Sequence, residues 1–432
     1  MKLLETSAKG FQKKLEKLCG QIRSGGGIEK AVADVIDQVE SRGDAAVCEY
    51  TEKFDGAKLT PAKLRLSDAE IAVASKALPA AQRKALRDSL KCVIDFHKKT
   101  KPKSWRAKNP HGATVGEEFY PIQRVGLYVP GGQVPLVSTV VMTVALAKLA
   151  GCPEIVVCTP PQADGSVNSA LLSALSICGA TEVYRVGGIQ AIAAMAHGTK
   201  KIPAVDKIYG PGNAYVTEAK RQLFGVAGID LLPGPSEVLV LADKTANPAY
   251  IAADLLAQAE HGSGKEKVYF VTTHRKLIDK VKSELAKQAE TLSHAKEALD
   301  VIATKAIAVV AGSLDEAVEV ANYIAPEHLE LHVADVEQRS LVKKITTAGA
   351  ILLGSETPTV LGDFTAGPSH TLPTDRTGRF FGGLQLIDFM RRTSIVKYDS
   401  KSASKAWPTV RAFSEMESLD AHGRSLQMRV ES

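Results

Sequence analysis

The sequence predicts an α/β protein with two parallel-sheet domains, a helical N-terminal region and a helical C-terminal tail. A chain of 432 residues is too long for one ordinary hydrophobic core. From about residue 115 onward, short apolar runs that suit buried strands alternate with helical stretches. Such alternation is typical of parallel sheets covered by helices on both faces. We therefore divide the chain into regions 1–114, 115–235, 236–385 and 386–432.

The N-terminal region has the pattern of packing helices. Helices are predicted over about 28–40, after Asp44, and over 80–99. Ser67 and Glu70 have the spacing of a capping box, in which each side chain accepts a hydrogen bond from the other residue's backbone. Nothing in this region suggests chemistry, so we expect these helices to pack on the α/β domains.

The second region carries four strand units. Strands are predicted at 124–129, 154–158, 182–186 and 207–209, and glycine-rich turns follow three of them. Rossmann-like domains bind nucleotides at such turns, because backbone N–H groups there can approach a phosphate. The standard G-x-G-x-x-G fingerprint follows none of these strands in the sequence. The turns therefore suit either a nucleotide or tight connections without a ligand.

The third region repeats this plan without repeating the sequence, which predicts a second Rossmann-like domain. Its strands are predicted at 238–241, 268–271, 306–310, 329–333 and 350–354, with helices between them. Residues 355–383 are turn-rich. Helices and a tail that contains His422 close the chain.

One helix of the third region ends with two side chains that could hold a metal. Asn247 can cap this helix, and Pro248 suits its first position, where a backbone N–H is not needed. Gln258 and His261 are three residues apart, so they share a face. The same pattern also fits a capped surface helix whose histidine in the last turn interacts favourably with the helix dipole.

Other polar residues of the C-terminal half suit chemistry as well. Glu327 and His328, on a predicted exposed turn, offer the carboxylate and imidazole wanted for proton transfer near neutral pH. A surface turn without a function also fits this pair. Asp363 and His370 flank a glycine-containing loop, and imidazole and carboxylate groups such as these suit zinc.

Composition excludes several classes of protein. The net charge of +6 is small for this length and no dense basic stripe occurs, so we expect no nucleic-acid partner. The sequence has no membrane-spanning run, and lysines interrupt its first 20 residues, so we expect no membrane partner and no signal peptide. Six cysteines without paired spacing indicate the cytoplasm. None follows Cys178, which argues against a cysteine nucleophile in the second half.

Taken together, these stretches resemble the histidinol dehydrogenase family over nearly the whole chain. The motifs that carry the resemblance are Val125 to Gly132, Val186 to Ala191, Gly210 to Ala214, Ala227 to Asp230, Gly234 to Glu237, Gln258 to Gly262, Pro326 to Leu329, Gly362-Asp363, Gly367 to His370, and Glu417 with His422. The resemblance implies an aldehyde-dehydrogenase-like pair of domains, a homodimer, and the cofactors NAD and Zn²⁺. It also implies histidine biosynthesis, by two NAD-dependent oxidations of L-histidinol to L-histidine through the aldehyde.

The resemblance further implies roles for individual residues. Glu327 and His328 correspond to the catalytic pair, with His328 as the base and Glu327 activating water. The implied zinc ligands are Gln258, His261, Asp363 and, from the other subunit, His422. These ligands and His328 also contact the substrate, together with Ser236, His370 and Glu417. The implied NAD contacts are Tyr128, Gln190 and Asn213, each at one of the glycine turns.

Two stretches depart from the family pattern and keep alternatives open. Residues 379–384 replace a Ser-Ser-Pro pattern, and residues 359–361 replace a stretch that usually carries a glutamate. One alternative is a zinc- and NAD-dependent dehydrogenase of the same scaffold that acts on another small polyol, such as a sulfonated diol. A second is a non-catalytic protein that binds a small molecule. The intact Pro-Glu-His-Leu motif and Glu417 favour histidinol.

Overall fold

The helices and strands alternate along most of the chain. A computed structural model describes residues 1–19, 26–131, 135–261 and 264–431. The helices are α1 (Phe11–Cys19), α2 (Gly26–Arg42), α3 (Asp44–Asp55), α4 (Asp68–Ala77), α5 (Ala80–Lys98), α6 (Val137–Ala150), α7 (Ser169–Cys178), α8 (Gly188–His197), α9 (Ala214–Leu223), α10 (Pro248–Ala259), α11 (Arg275–Ala289), α12 (Ala295–Thr304), α13 (Leu314–Ile324), α14 (Asp335–Lys344), α15 (Thr359–Phe364), α16 (Ser400–Met416) and α17 (Asp420–Val430). The strands are β1 (Lys2–Glu5), β2 (Trp105–Lys108), β3 (Thr114–Pro121), β4 (Arg124–Tyr128), β5 (Glu154–Thr159), β6 (Glu182–Arg185), β7 (Lys207–Tyr209), β8 (Gly228–Ile229), β9 (Glu237–Ala242), β10 (Lys267–Thr272), β11 (Ile307–Val310), β12 (His328–His332), β13 (Ala350–Leu353) and β14 (Met390–Lys397).

The first parallel sheet has the strand order β6-β5-β4-β7-β8. Alternate residues of its strands enter two cores. Val156 and Cys158 pack with α2, α8 and α9 on one face, whereas Val157 packs with α6 and α7 on the other. A sheet covered on both faces needs apolar residues at consecutive positions, which is why β5 was recognisable in the sequence.

The second parallel sheet has the order β1-β11-β10-β9-β12-β13. Helices α10, α11 and α12 cover one face, and α1, α13 and α14 contribute to the core on the other. The α/β class with two parallel sheets is thereby confirmed. The expectation of a wholly helical N-terminal region was wrong, because β1 pairs with β11 at the edge of this sheet and β2 joins a third sheet. A four-residue edge strand is too short to show a hydrophobic period.

The third sheet is antiparallel, with the order β14-β3-β2. This sheet was not predicted from the sequence. All eight residues of β14 are exposed or half-buried, so the strand lacks the apolar alternation of a core strand. Because Met390 pairs with Pro121 and Lys397 with Thr114, this sheet ties the C-terminal region to the start of the first domain.

The C-terminal tail is a pair of packed helices, as predicted. At their contact Ser414 Oγ donates to the carbonyl of Leu419 at 2.5 Å and accepts from the N–H of Gly423 at 3.0 Å. A Cβ atom at Gly423 would lie 2.7 Å from Ser414 Oγ, so glycine permits the close approach. Among the described residues, no helix is long and apolar enough to cross a lipid bilayer.

Candidate active site

Strand β12 places a row of polar side chains inside the second domain. Leu329 and Leu331 enter the core beside α13, whereas His328, Glu330 and His332 lie on the opposite face, level with the valines of β9 and turned toward α10. Strand geometry explains this division, because successive side chains point to opposite faces. All three polar residues are buried. Burying polar groups costs folding free energy, so this row of polar side chains indicates a functional site.

Glu327 and His328 form the centre of the candidate site. His328 Nε2 lies 3.7 Å from Glu327 Oε1 and 4.0 Å from Asp363 Oδ1. The expected exposed turn was wrong, because Glu327 and His328 are only 7% and 6% exposed and His328 begins β12. Pro326 suggested a turn, but the residues that follow it form β12, which pairs with β9 on one side and β13 on the other.

Burial shifts the pKa values of this pair in opposite directions. It lowers the pKa of His328 to about 3, with further lowering from the nearby imidazoles of His370 and His261. It raises the pKa of Glu327 well above the usual carboxyl value, although the backbone N–H of Glu237 donates to Glu327 Oε2 at 2.9 Å. At neutral pH the histidine is therefore a free base, and burial makes a Glu327 carboxylate a stronger proton acceptor than an exposed one.

Asp363 lies on α15, a short helix in a stretch that was expected to be turns. Its Oδ1 atom is 3.7 Å from His370 Nδ1 as well as 4.0 Å from His328. Burial raises the pKa of Asp363 to about 6, and the charge of His261 opposes this shift. His261 also lowers the pKa values of His328 and His370, so it lies near the same three groups: His328, Asp363 and His370.

The predicted metal helix is α10, which ends at Ala259, so Gln258 lies in its last turn and His261 lies two residues beyond it rather than on the expected shared helix face. Asn247 caps it by accepting from the N–H of Ala249, as expected. Gln258 is buried and its Nε2 atom has no hydrogen-bond partner, whereas His261 is exposed and its Nδ1 lies 3.1 Å from the Gln258 carbonyl oxygen. The predicted helix stop, Gly262, lies outside the described residues, as does Gly132 of the first glycine turn.

The two tail residues are not joined to this group within one chain. Glu417 follows α16 and His422 lies in the first turn of α17, and both side chains are exposed. Among the described residues, no hydrogen bond or ion pair links either side chain to Gln258, His261 or Asp363. Within one chain, the described contacts therefore bring neither tail residue to the other predicted ligands.

A second group of potential metal ligands lies one helical turn away. Asp254, Glu330 and His332 place one ligand atom each within 4.8 Å of one another. His332 Nε2 is 3.4 Å from Glu330 Oε2 and 3.7 Å from Asp254 Oδ2. Among the described His, Cys, Asp and Glu residues, this trio is the metal-competent group that geometry identifies. This trio was not predicted from the sequence, although His328 to His332 alternate polar and apolar residues.

The predicted NAD contacts lie at the carboxyl end of the first sheet. Tyr128 is buried at the end of β4, and its hydroxyl accepts from the N–H of Gly188 at 3.2 Å. Gln190 is fully buried, and neither polar atom of its side chain has a hydrogen-bond partner. Asn213 caps α9 by accepting from the N–H groups of Tyr215 and Val216. The unpartnered Gln190 amide and the glycine turns fit the binding of a polar cofactor at this edge.

Comparisons with known proteins identify the family. The histidinol dehydrogenase family model matches residues 22–430. The chain belongs to the histidinol dehydrogenase family. Histidinol dehydrogenase from a Synechococcus strain is 41% identical, over 98% of this chain and 97% of the relative. The one from Rhodopseudomonas palustris is 45% identical, over 93% of each chain.

Solved structures agree with this assignment. The crystal structure of histidinol dehydrogenase from Elizabethkingia anophelis has a TM-score of 0.94 at 34% identity, and the match covers 100% of this chain and 98% of that one. An acetylating aldehyde dehydrogenase from Geobacillus thermoglucosidasius has a TM-score of 0.50 at 15% identity, over 86% of this chain and 97% of that one, which shows a shared fold alone. Histidinol dehydrogenases use NAD and Zn²⁺.

A buried ion pair supports the predicted NAD-binding turn of this histidinol dehydrogenase family member. It was not predicted from the sequence. Lys220 is fully buried, and its Nζ donates to the Gly210 carbonyl at 2.9 Å and to Asp230. Asp230 Oδ2 accepts from the N–H of Gly210 at 2.8 Å, so this ion pair holds the glycine turn in place. A lysine within an amphipathic helix gives no sign in the sequence that it is buried.

Ser236 precedes a second buried ion pair. Its carbonyl accepts from the N–H of Lys267, whose Nζ lies 2.9 Å from Glu237 Oε1 and also contacts Asp375. Burial raises the pKa of Glu237 to about 7, and Lys267 opposes this shift. Since the Glu237 N–H donates to Glu327, this ion pair fixes the end of β9 that holds the Glu327 carboxyl group.

Proposed function

We propose that this chain catalyses the two NAD-dependent oxidations of L-histidinol to L-histidine at the site formed by Glu327, His328 and Asp363. The single observation that carries the proposal is the buried Glu327–His328 pair, whose imidazole faces two carboxyl groups within 4.0 Å. Opposed pKa shifts on neighbouring groups are the usual mark of acid–base catalysis.

His328 acts as the base of the first oxidation. Its imidazole is neutral because its pKa is lowered, so Nε2 can accept the proton of the substrate hydroxyl. The carbinol carbon loses a hydride to NAD, and the aldehyde forms. Asp363 beside the ring stabilises the imidazolium that results.

Glu327 acts in the second oxidation. Water adds to the aldehyde carbon, and Glu327 in its ionised form accepts a proton from that water, after which a second NAD takes the hydride of the hydrate. The products are a carboxylate and two molecules of NADH, with three protons released. The Glu237 N–H keeps the accepting carboxyl group in position throughout.

Zinc fits the donor set at the end of α10. We assign Gln258, His261 and Asp363 of one chain and His422 of a partner chain as ligands, and His370, Ser236 and Glu417 as further contacts of the substrate. The exposed tail, whose His422 has no described contact with the other proposed ligands, supports a homodimer with shared sites. Bound zinc supplies a fixed cationic anchor that orients the substrate.

NAD is assigned to the first domain, where Tyr128, Gln190 and Asn213 contact it. The unpartnered Gln190 amide is the strongest support for this assignment. We propose that residues 115–235 form the NAD-binding domain and that residues 236–385 form the domain with the metal and acid–base residues. The cytoplasm is the proposed compartment, in agreement with six free thiols.

An NADH assay tests the reaction. Purified protein is supplied with NAD and L-histidinol, with a sulfonated diol, or with no alcohol, each with and without a chelator. We expect two NADH per histidinol and loss of activity after chelation. Activity on the diol alone would support the alternative dehydrogenase, and NADH from neither alcohol would support a binding protein without catalysis.

The metal ligands need a separate test, because the trio around His332 is a competing site. We expect Gln258→Ala and His261→Ala to lose zinc in elemental analysis, and His332→Leu to keep it. Loss of zinc only in His332→Leu would show that Asp254, Glu330 and His332 bind the metal, and it would overturn our ligand set.

Complementation between two inactive chains tests the shared site. A His422→Ala chain and a His261→Ala chain, unfolded together and refolded, should recover roughly a quarter of parental activity, because half of the dimers are mixed and each mixed dimer has one intact site. Failure of the mixture to regain activity would contradict the assignment of His422 to the partner's site.

A further inference from the structure

Glu330 is the residue of the polar row on β12 that the proposed reaction leaves without a role. It is completely buried, and its neighbours in the sheet are Val240 of β9 and Leu352 of β13. A carboxylate in such surroundings is costly unless its oxygens are bound. Its bonding partners therefore indicate what it does.

One oxygen of Glu330 holds the start of α15. Oε1 accepts from the backbone N–H and from the hydroxyl of Thr359, each at 2.7 Å, and Thr359 is the first residue of that helix. A carboxylate at this place satisfies a helix N–H that otherwise lacks a partner and matches the positive end of the helix dipole. At the other end of α15, Ser89 Oγ donates to the carbonyl of Phe364 at 2.5 Å.

The other oxygen faces the remaining members of the trio. Oε2 lies 3.4 Å from His332 Nε2, which lies 3.7 Å from Asp254 on α10. Burial and the charge of Glu330 raise the pKa of Asp254 to about 9, so Asp254 is a neutral donor at physiological pH. A single negative charge is then shared by two carboxyl groups, and no metal ion is needed to balance the cluster.

Helix α15 matters because it carries Asp363, four residues after Thr359. Asp363 Oδ1 reaches both His328 and His370. Six residues form a weak helix on their own, so its position depends on outside contacts. Gly362 packs over β13, where an added Cβ would lie 3.7 Å from Leu352.

We infer that Glu330 is a positioning residue that fastens α15 to β12 and so keeps Asp363 beside His328. Asp254 and His332 lie beside the Glu330 carboxyl group on the side of α10. Thr359 lies in the stretch that departs from the usual family pattern, and its hydroxyl supplies one of the two hydrogen bonds. This inference rests on the proposed function only in giving Asp363 a catalytic use.

Hydrogen–deuterium exchange of residues 359–366 tests the fastening without any activity measurement. Glu330→Leu removes both acceptors while filling the space, and a buried ion replaced by an apolar group of similar size often leaves a fold intact. We expect at least tenfold faster exchange of the α15 amides in Glu330→Leu and a smaller increase in Thr359→Val. Glu330→Gln, which keeps an acceptor oxygen, should stay close to the parent.

Thr365→Val is the matched control. It removes an exposed hydroxyl that bonds only the Leu361 carbonyl within α15 itself, at 3.2 Å, so exchange and activity should match the parent. In Glu330→Leu we also expect faster loss of zinc to a chelator and a lower kcat, with the KM for NAD unchanged. Parental exchange of α15 in Glu330→Leu would overturn the inference. An inactive parent protein would contradict the proposed function while leaving the exchange result valid.

Discussion

The backbone N–H of Glu237 donates a 2.9 Å hydrogen bond to Glu327 Oε2, so the first residue of β9 holds the carboxyl group that adjoins His328. The bond joins the N-terminal ends of two neighbouring parallel strands, β9 and β12, inside the second sheet. It also separates two functions of Glu327, because an amide oxygen could accept this bond but could not take a proton from water.

Glu327→Gln should therefore interrupt the reaction at the aldehyde. Loss of a general base typically lowers the rate by a factor of about 10² to 10⁴. We expect the variant to retain zinc and to release close to one NADH per histidinol, with the aldehyde captured by an added amine reagent. Histidine formation at the parental rate would refute the role of Glu327.

Gln190→Met should separate stability from cofactor binding. Both polar atoms of the Gln190 side chain are buried without a hydrogen-bond partner, so an apolar side chain of similar size should raise the free energy of unfolding by about 1 kcal/mol. The same change should raise the KM for NAD about tenfold, which corresponds to 1.4 kcal/mol of binding. Urea unfolding and initial rates measure the two effects, and an unchanged KM for NAD would contradict the assignment of Gln190.

Lys220→Met should destabilise the first domain strongly. It leaves the Asp230 carboxylate buried without its cation, and breaking such a pair costs about 3–5 kcal/mol. Because the pair also holds Gly210, the KM for NAD should rise. The double variant Lys220→Met with Asp230→Leu should regain part of the stability in urea unfolding. If the single variant unfolds at the parental urea concentration, the pair has no structural role.

His97 gives the protein a sensitivity to acid that lies outside the active site. It is buried on α5 with neither ring nitrogen hydrogen-bonded, and burial lowers its pKa to about 4. The unfolded chain binds a proton near pH 6.5, before the folded form does, so stability falls as the pH drops from 6.5 to 4. The contribution of this group is on the order of 3 kcal/mol.

His97→Leu should reduce this loss of stability, as measured by urea unfolding at pH 7 and pH 4.5. The exposed His294, changed to leucine, is the control and should behave like the parent. The variant and the parent could instead lose equal stability on acidification. That result would show that the fold does not hinder protonation of His97.

Much of the architecture could be predicted because local patterns fix it. The capping box of Ser67 and Glu70 forms as expected, and Asn247 caps α10. The buried strands of both parallel sheets were readable as apolar runs between turns, since a sheet covered on both faces requires such runs. Strands β1 and β14 were missed because edge strands with exposed side chains carry no such pattern.

The candidate site was only partly predictable. The motif that contains Glu327 and His328 was visible, but its surroundings were misjudged as an exposed turn. Glu327 and His328 are buried because β9 and β13 lie on either side of β12 and α10 covers it, and all three elements are distant in sequence. The roles of Asp254, Glu330 and Lys220 were not recognised for the same reason, since a charged residue in the sequence gives no sign that its partners lie in the core.

The sequence by itself determined the family and the α/β class, because these follow from motifs and from the local alternation of strand and helix patterns. Only the tertiary structure decided that Asp363 lies 4.0 Å from His328 and that Glu330 binds the start of α15. Such relationships depend on strand register and on packing between distant segments, and the low polarity of the interior then sets the pKa values.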